Sequence, residues 1–302
     1  MQVVVLGTGA VGGYYGGQLA RAGHEVTCFA RGANLAALRD RGLEIQAPEG
    51  TQLVRVRATD RVEELPPADF AILGVKSYSL DAMAPALRHC ADRGATIVPL
   101  LNGVDTADRM MALGVPAANV VGGLTRISVV MVAPGVVKRS SAFQSVIVGE
   151  FDGTTTRRVE AIAAAFREAG ADAQASPQIN LELWRKFVFI TSLAAGCGLA
   201  RAPLGHLQAT PLGRRLLERA IREVVTVGRA KGIPFPADEE ARHIAMIDTM
   251  PAGLKPSFLI DLESGGKNEL DVLSGAVSRF AEEMGIPVPI HDAVTAALGN
   301  RA

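Results

Sequence analysis

Residues 181–187, Leu181-Glu182-Leu183-Trp184-Arg185-Lys186-Phe187, place a lysine where its charge is poorly solvated. At helical spacing Lys186 shares a stripe with Glu182, Ile190, Leu193 and Ala194. A lysine facing apolar surface loses hydration, so its pKa falls and it becomes a better proton donor to a developing alkoxide. The same pattern also suits a lysine whose stem lies on apolar surface while its head pairs with Glu182. Further polar residues sit where elements end. Lys76 follows the apolar stretch Asp69–Val75, and Asn102 follows Thr96–Leu101. Open α/β sheets bind ligands at the carboxyl ends of their strands, which puts both side chains near a ligand. A strand-end lysine is equally often just solvated, and Asn102-Gly103 is also a common turn pair. Ser257 follows Pro256 at a helix start, and Glu269 lies in Gly266-Lys267-Asn268-Glu269-Leu270-Asp271. Taken singly, these two read as an N-cap and a first-turn dipole partner.

The ligand is named by the N-terminus. Val3-Val4-Val5-Leu6 reads as a buried strand and breaks at Gly7 into Gly7-Thr8-Gly9-Ala10-Val11-Gly12, with a helix expected over Tyr14–Ala22. Gly7 permits the tight turn, Gly9 lets backbone approach a pyrophosphate, and Gly12 lets helix pack on strand. The helix N-terminus then faces the phosphates. The second strand, His24–Ala30, leads into Phe29-Ala30-Arg31-Gly32-Ala33-Asn34. No carboxylate stands there to accept from a ribose hydroxyl, and a guanidinium at Arg31 suits a 2′-phosphate. NADPH is the expected cofactor, with an ordinary solvated arginine as the plainer reading of Arg31. The carboxamide of Asn102 then suits a nicotinamide carboxamide or a substrate oxygen.

The elements that position these residues divide the chain in two. Its 302 residues exceed what one ordinary core supports. Up to Ser176-Pro177, strands alternate with helices: Leu35–Arg41, Leu43–Ala47, Gln52–Ala58, Asp69–Val75, Ser79–Arg88, Thr96–Leu101, Val120–Leu124, Thr156–Ala169 and Ala171–Ala175. A β-rich stretch spans 129–149. The alternation predicts a mostly parallel sheet with helices on both faces. Beyond it, amphipathic helices are expected at Asn180–Leu199, Pro211–Lys231, Ala237–Met250, Ser257–Leu262, Asn268–Met284 and His291–Leu298. The expected domains are 1–177, α/β and dinucleotide-binding, and 178–302, all-α.

The bulk composition narrows the partners. Lys plus Arg equals Asp plus Glu, 31 each, which gives no sign of nucleic acid or an acidic membrane surface. Cys28, Cys90 and Cys197 lack metal-type spacing and read as reduced buried thiols. No signal peptide is expected, nor any apolar run long enough to cross a bilayer, so a cytoplasmic protein is expected. Histidines 24, 89, 206, 243 and 291 show no ligand spacing, and Trp184 reads as core packing. Arg214-Arg215…Arg219…Arg222 reads as a solvated helix face, with a homodimer interface as its alternative use.

Together these residues resemble the ketopantoate reductase (2-dehydropantoate 2-reductase) family over the whole chain. The N-terminal glycine fingerprint, Arg31, Lys76, Asn102-Gly103, the Glu182-Leu183-Trp184-Arg185-Lys186 motif and the Ser257…Glu269 spacing carry the likeness. The Leu-Trp-Arg-Lys motif is its most specific element. The resemblance implies a Rossmann-type domain followed by a helical domain like the C-terminal part of 6-phosphogluconate dehydrogenase. It implies NADPH-dependent reduction of a small 2-oxo acid, ketopantoate, in pantothenate biosynthesis. On the matching positions, Lys186 is the general acid, Asn102 contacts nicotinamide and substrate, and Ser257 holds substrate carboxylate or hydroxyl. Glu269 contacts the cofactor ribose, and Ser128 touches the cofactor through its backbone. Cofactor binding is expected from Gly7, Thr8, Gly9, Ala10, Val11, Gly12, Arg31, Lys76, Asn102, Ser128 and Glu269, and substrate binding from Asn102, Lys186 and Ser257.

The likeness fails at three positions. The family typically has asparagines one and two turns after the lysine and in the following loop, where this chain has Ile190, Ala194 and Leu204. Each lost hydrogen bond to a buried substrate group is worth about 1–3 kcal/mol. A different 2-oxo acid or an imine is therefore the alternative substrate, and a non-catalytic NADPH-binding regulator the alternative class.

Overall fold

The computed structural model describes residues 1–299. The chain divides into two compact units, one of residues 1–101 with 105–179, the other of 102–104 with the chain from Asn180 onward.

The first unit opens with β1 (Gln2–Leu6), α1 (Ala10–Arg21), β2 (Glu25–Phe29) and α2 (Gly32–Asp40). β3 (Leu43–Ala47), β4 (Gly50–Val54), β5 (Arg57–Thr59), β6 (Phe70–Leu73), α3 (Ala84–Asp92) and β7 (Thr96–Pro99) follow. The unit ends with α4 (Thr106–Ala112), β8 (Gly122–Ala133), β9 (Val136–Gly149), α5 (Arg157–Glu168) and β10 (Asp172–Ala175). Five strands form a wholly parallel sheet in the order β5-β2-β1-β6-β7. The order reverses at β1, where β2 lies on one side and β6 on the other, the place where such sheets bind ligands. Because side chains alternate along a strand, Val3 and Val5 enter one core with Tyr14, Tyr15 and Phe166, while Val4 and Leu6 enter the opposite core with Leu73 and Leu87.

The sequence pattern needs correction in the rest of this unit. Apart from one parallel bridge between Val120 and Ile97 of β7, the stretch 120–149 does not extend the parallel sheet. It folds as the antiparallel hairpin β8–β9, with register shifts after Ile127 and Met131, inside a second sheet ordered β10-β9-β3-β4. The expected strand Gln52–Ala58 is two strands in different sheets, β4 beside β3 and β5 beside β2. The expected helix Ser79–Arg88 begins as two 3₁₀ turns and becomes α-helical only at Ala84, with Pro85 in its first turn. Helix α4 was not expected from the sequence.

Helix α1 starts at Ala10, four residues before the sequence pattern suggests, and it is glycine-rich for a packing reason. A Cβ on Gly16 would lie 2.9 Å from Val5 Cγ2 in the parallel sheet. One on Gly17 would lie 2.6 Å from Ile45 Cδ1 and 2.8 Å from Leu43 Cδ2 in the second sheet. The helix is thus held between two sheets at a separation that admits no side chain at these points.

The second unit is helical: α6 (Ile179–Ala200), α7 (Leu204–Gln208), α8 (Pro211–Ala230), α9 (Glu239–Asp248), α10 (Ser257–Glu263), α11 (Ser274–Met284) and α12 (Pro289–Leu298). Helix α7 was not expected. The helix expected at Asn268–Met284 is interrupted: Leu270–Val272 is a 3₁₀ turn and α11 begins at Ser274. Contrary to the expectation about apolar runs, α6 is long and apolar enough to cross a membrane by length and composition. Its Trp184, Phe187, Val188 and Leu193 are instead buried in the core of this unit, so it is a core helix here.

Candidate active site

The glycine loop joins β1 to α1. Gly7 has φ +92°, a left-handed value that side chains rarely tolerate, and a Cβ there would overlap the Val75 side chain. A Cβ on Gly12 would overlap the Gly7 carbonyl oxygen. Gly9 is the N-cap residue of α1, has no side-chain cap, and no acidic residue follows in the first turn. The opening N–H groups of α1 thus meet neither a capping side chain nor a carboxylate from their own helix, and nearby backbones approach too closely for side chains to intrude. Thr8, Ala10 and Val11 complete the loop. This cradle fits a dinucleotide pyrophosphate.

Arg31 is exposed at the N-cap of α2, with its guanidinium 5.5 Å from the centre of the Phe29 ring. That contact steadies a side chain otherwise surrounded by solvent. Lys76 is half-buried three residues beyond β6, at the start of a 3₁₀ turn. The Ser128 N–H donates to Ser141 Oγ at 3.0 Å, and its hydroxyl meets that of Ser140 at 2.9 Å.

Asn102 belongs to the helical unit although it follows the last strand of the parallel sheet. Val104, two residues on, packs against the helical core and holds this short segment there. The Asn102 amide donates to the Glu269 carboxylate at 3.2 Å. Glu269 is only 5 % exposed. It precedes a 3₁₀ turn rather than occupying the first turn of a helix, so the dipole role does not apply. Its place is fixed locally by Asn268, whose Oδ1 accepts from the Leu270 N–H at 3.1 Å.

Lys186 is half-buried on α6. Trp184 packs edge-on against Phe187, with ring centres 5.5 Å apart, as core packing requires. Ser257 is the exposed first residue of α10, and Pro256 rather than the serine is the N-cap. The next residue, Phe258, anchors α10 on α6, where a Cβ on Gly198 would lie 2.8 Å from its ring. Ile190 packs at the margin of the core, while Ala194 and Leu204 are buried in it.

A network beside the lysine escaped the sequence reading. Arg185 Nε lies 3.1 Å from Glu239 Oε1, and its Nη2 lies 3.3 Å from Oε2. His243 Nε2 contacts the same carboxylate at 3.2 Å, and Glu239 is only 1 % exposed. Burial holds the His243 imidazole below its ordinary pKa although Glu239 pulls it upward. Glu239 at i and His243 at i+4 on one helix were the only signal, and nothing in their spacing pointed to Arg185. The network ties α6 to α9 one residue before Lys186. Two arginines of α8 are likewise paired to α9, Arg214 with Asp248 and Arg222 with Glu240. All three cysteines are buried and free, and burial raises their pKa values, Cys28 to about 12 and Cys197 to about 11.

Comparison with known proteins decides the family. Residues 3–153 match the model of ketopantoate reductase PanE/ApbA, and residues 178–302 match that of the ketopantoate reductase PanE/ApbA C terminal. The chain belongs to the ketopantoate reductase family. It is 32% identical over 294 residues to a 2-dehydropantoate 2-reductase of Halobacterium salinarum, covering 96% of this chain and 95% of that one. It is 30% identical over 303 residues to an uncharacterized oxidoreductase, YkpB, of Bacillus subtilis, covering 99% and 98%. The crystal structure of a PanE/ApbA family ketopantoate reductase from Ralstonia eutropha superposes with a TM-score of 0.89 at 29% identity, covering 99% of this chain and 97% of that one. The family is one of oxidoreductases that bind a nicotinamide dinucleotide. Its Rossmann-like first part and helical second part are those found here.

Proposed function

We propose that this protein reduces 2-dehydropantoate to pantoate with NADPH, as a step of pantothenate and CoA biosynthesis in the cytoplasm, with Lys186 as the general acid. The observation that carries the reading is the hydrogen bond from half-buried Asn102 to buried Glu269, held in the same helical unit as Lys186. A solvated turn asparagine and a helix-end glutamate would have no reason to meet out of the solvent.

The glycine loop would hold the pyrophosphate and Arg31 the 2′-phosphate. The chemistry such a cofactor would supply is a hydride for the keto carbon. The chain supplies the rest. Lys186 gives a proton from Nζ to the carbonyl oxygen, whose growing negative charge its ammonium also stabilises. Asn102 donates to Glu269 through its amide nitrogen, so its Oδ1 is free to point at an amide or hydroxyl hydrogen. Glu269 fixes Asn102 and would contact the ribose. Ser257 holds the polar end of the substrate.

One observation favours a second reading, a reductase of a more apolar 2-oxo acid or of an imine. Ile190, Ala194 and Leu204 carry no group that could bond the ketopantoate hydroxyl, and sites discriminate strongly on such bonds. The test is the initial rate of NADPH oxidation with ketopantoate, repeated with NADH and with a series of other 2-oxo acids. Highest kcat/KM for ketopantoate with NADPH supports the first reading. Turnover of a different acid alone supports the second, and no turnover of any leaves a non-catalytic NADPH-binding regulator.

A further inference from the structure

Asn34 lies in the first turn of α2, three residues after Arg31, and its side chain turns away from the helix end. Its Nδ2 donates to the Thr8 carbonyl at 2.7 Å, and its Oδ1 accepts from the Gly135 N–H at 2.7 Å. A carbonyl needs a donor and an N–H needs an acceptor, so only one orientation of this amide satisfies both. One arm of Asn34 therefore holds the glycine loop, and the other holds the turn between β8 and β9. That turn is itself fixed. The Gly135 carbonyl accepts from the Glu44 N–H at 2.8 Å, and Arg41 donates to the Pro134 carbonyl at 2.7 Å. The glycine loop is held on its other side by the Phe29 carbonyl, which accepts from the Gly7 N–H at 3.3 Å and from Thr8 Oγ1 at 3.2 Å.

We infer that Asn34 is a positioning residue that sets the spacing between the glycine loop and Arg31, and so the preference for a 2′-phosphorylated dinucleotide. The inference rests on the NADPH reading above. A pyrophosphate and a 2′-phosphate are two anionic groups on one nucleotide. Bidentate contact to the second is gained only if both binding points stand at the fitting separation. Without Asn34, Phe29 still restrains the glycine loop, so pyrophosphate binding persists. The register between that loop and α2 is lost, and with it the contact that only NADPH makes.

The test is the dissociation constants of NADPH and NADH, measured by calorimetry, for the wild type, Asn34→Ala, Arg31→Ala and the double variant. The expected result is that Asn34→Ala lowers the NADPH-over-NADH preference at least five-fold while the melting temperature hardly changes. In the Arg31→Ala background the same substitution should leave the ratio where it was. An equal loss for both cofactors, or an unmoved ratio, overturns the inference and leaves Asn34 a structural residue. A wild type that binds NADH as well as NADPH removes the NADPH reading and this inference with it. A wild type that prefers NADPH, with the ratio unmoved in Asn34→Ala, removes the inference alone. Should Asn34→Ala not fold, Asn34→Gln displaces both hydrogen bonds by one methylene and should lower the same ratio.

Discussion

The Asn102 amide and the Glu269 carboxylate meet across 3.2 Å although 167 positions separate them in the chain. The bond fixes which end of the Asn102 amide is committed and which is offered. Asn102→Ala and Glu269→Ala should each lower kcat/KM for the oxo acid by about 10–100-fold, and the double variant by less than the product of the two. A double-mutant cycle on kcat/KM measures this. Strictly multiplicative losses would show that the two residues act separately.

Lys186→Ala should keep its affinity for NADPH and lose about 10²–10⁴-fold in kcat, the usual worth of a general acid. Single-turnover rates with saturating cofactor check this. Unchanged turnover removes the lysine from the mechanism.

Arg31→Ala should weaken NADPH binding by about 10–100-fold, since hydrogen bonds to charged groups are worth about 1.5–3 kcal/mol. NADH has no 2′-phosphate to lose, so its dissociation constant should stay nearly constant. Equal weakening of both would assign Arg31 to the shape of the loop rather than to the phosphate.

Gly17→Ala sets two effects against each other. Alanine is the better helix former by about 1 kcal/mol. Its methyl would stand 2.6 Å from Ile45 Cδ1 and 2.8 Å from Leu43 Cδ2, and overpacking of that kind costs about 1–3 kcal/mol. A lower melting temperature is expected by calorimetry, and a higher one would show that Ile45 and Leu43 can swing aside.

His291 is wholly buried, with Nδ1 3.0 Å from Ser274 Oγ and Nε2 3.1 Å from the Ala220 carbonyl. Burial lowers its pKa from 6.5 to about 4. The folded state thus keeps this ring neutral, and its contribution to stability is full above pH 6.5 and lost as pH falls toward 4. At 1.36 kcal/mol per unit the loss amounts to about 3 kcal/mol. Burial raises the pKa of neighbouring Glu223, which works the other way, so the His291 share is best read directly. Its ring resonances in an NMR titration should stay unshifted down to about pH 5, and a midpoint near 6.5 would overturn the assignment.

The glycine loop and the apolar stripe of α6 were legible because each is encoded in a few neighbouring residues. The hairpin β8–β9 was not. Period-two patterning says that 122–149 is extended, and only tertiary pairing decides that Glu44, Ile45 and Gln46 of β3 lie beside Val136–Lys138 of β9. The crowding of Gly13 and Gly17 against the second sheet was not legible, because Leu43, Ile45 and Val137 reach α1 only through tertiary pairing. The tie from Arg185 to Glu239 spans 54 positions, beyond the reach of any local pattern. Asn34 was read as loop sequence because its two partners are backbone groups, which sequence does not distinguish.

The two crowded faces of α1 bear on the order in which the chain can be completed during synthesis. The face toward β1 can close as soon as the first residues emerge, and Leu43 and Ile45 of the opposite wall follow soon after, but a Cβ on Gly13 would sit 3.0 Å from Val137, so the last part of that wall arrives about 120 residues later. At ribosomal rates of about 5–20 residues per second, α1 waits roughly 6–25 s for the β9 part of its second wall. A nascent chain halted before the hairpin would carry every glycine of the fingerprint and leave Tyr14 without Arg139 and Gln144, its partners on β9.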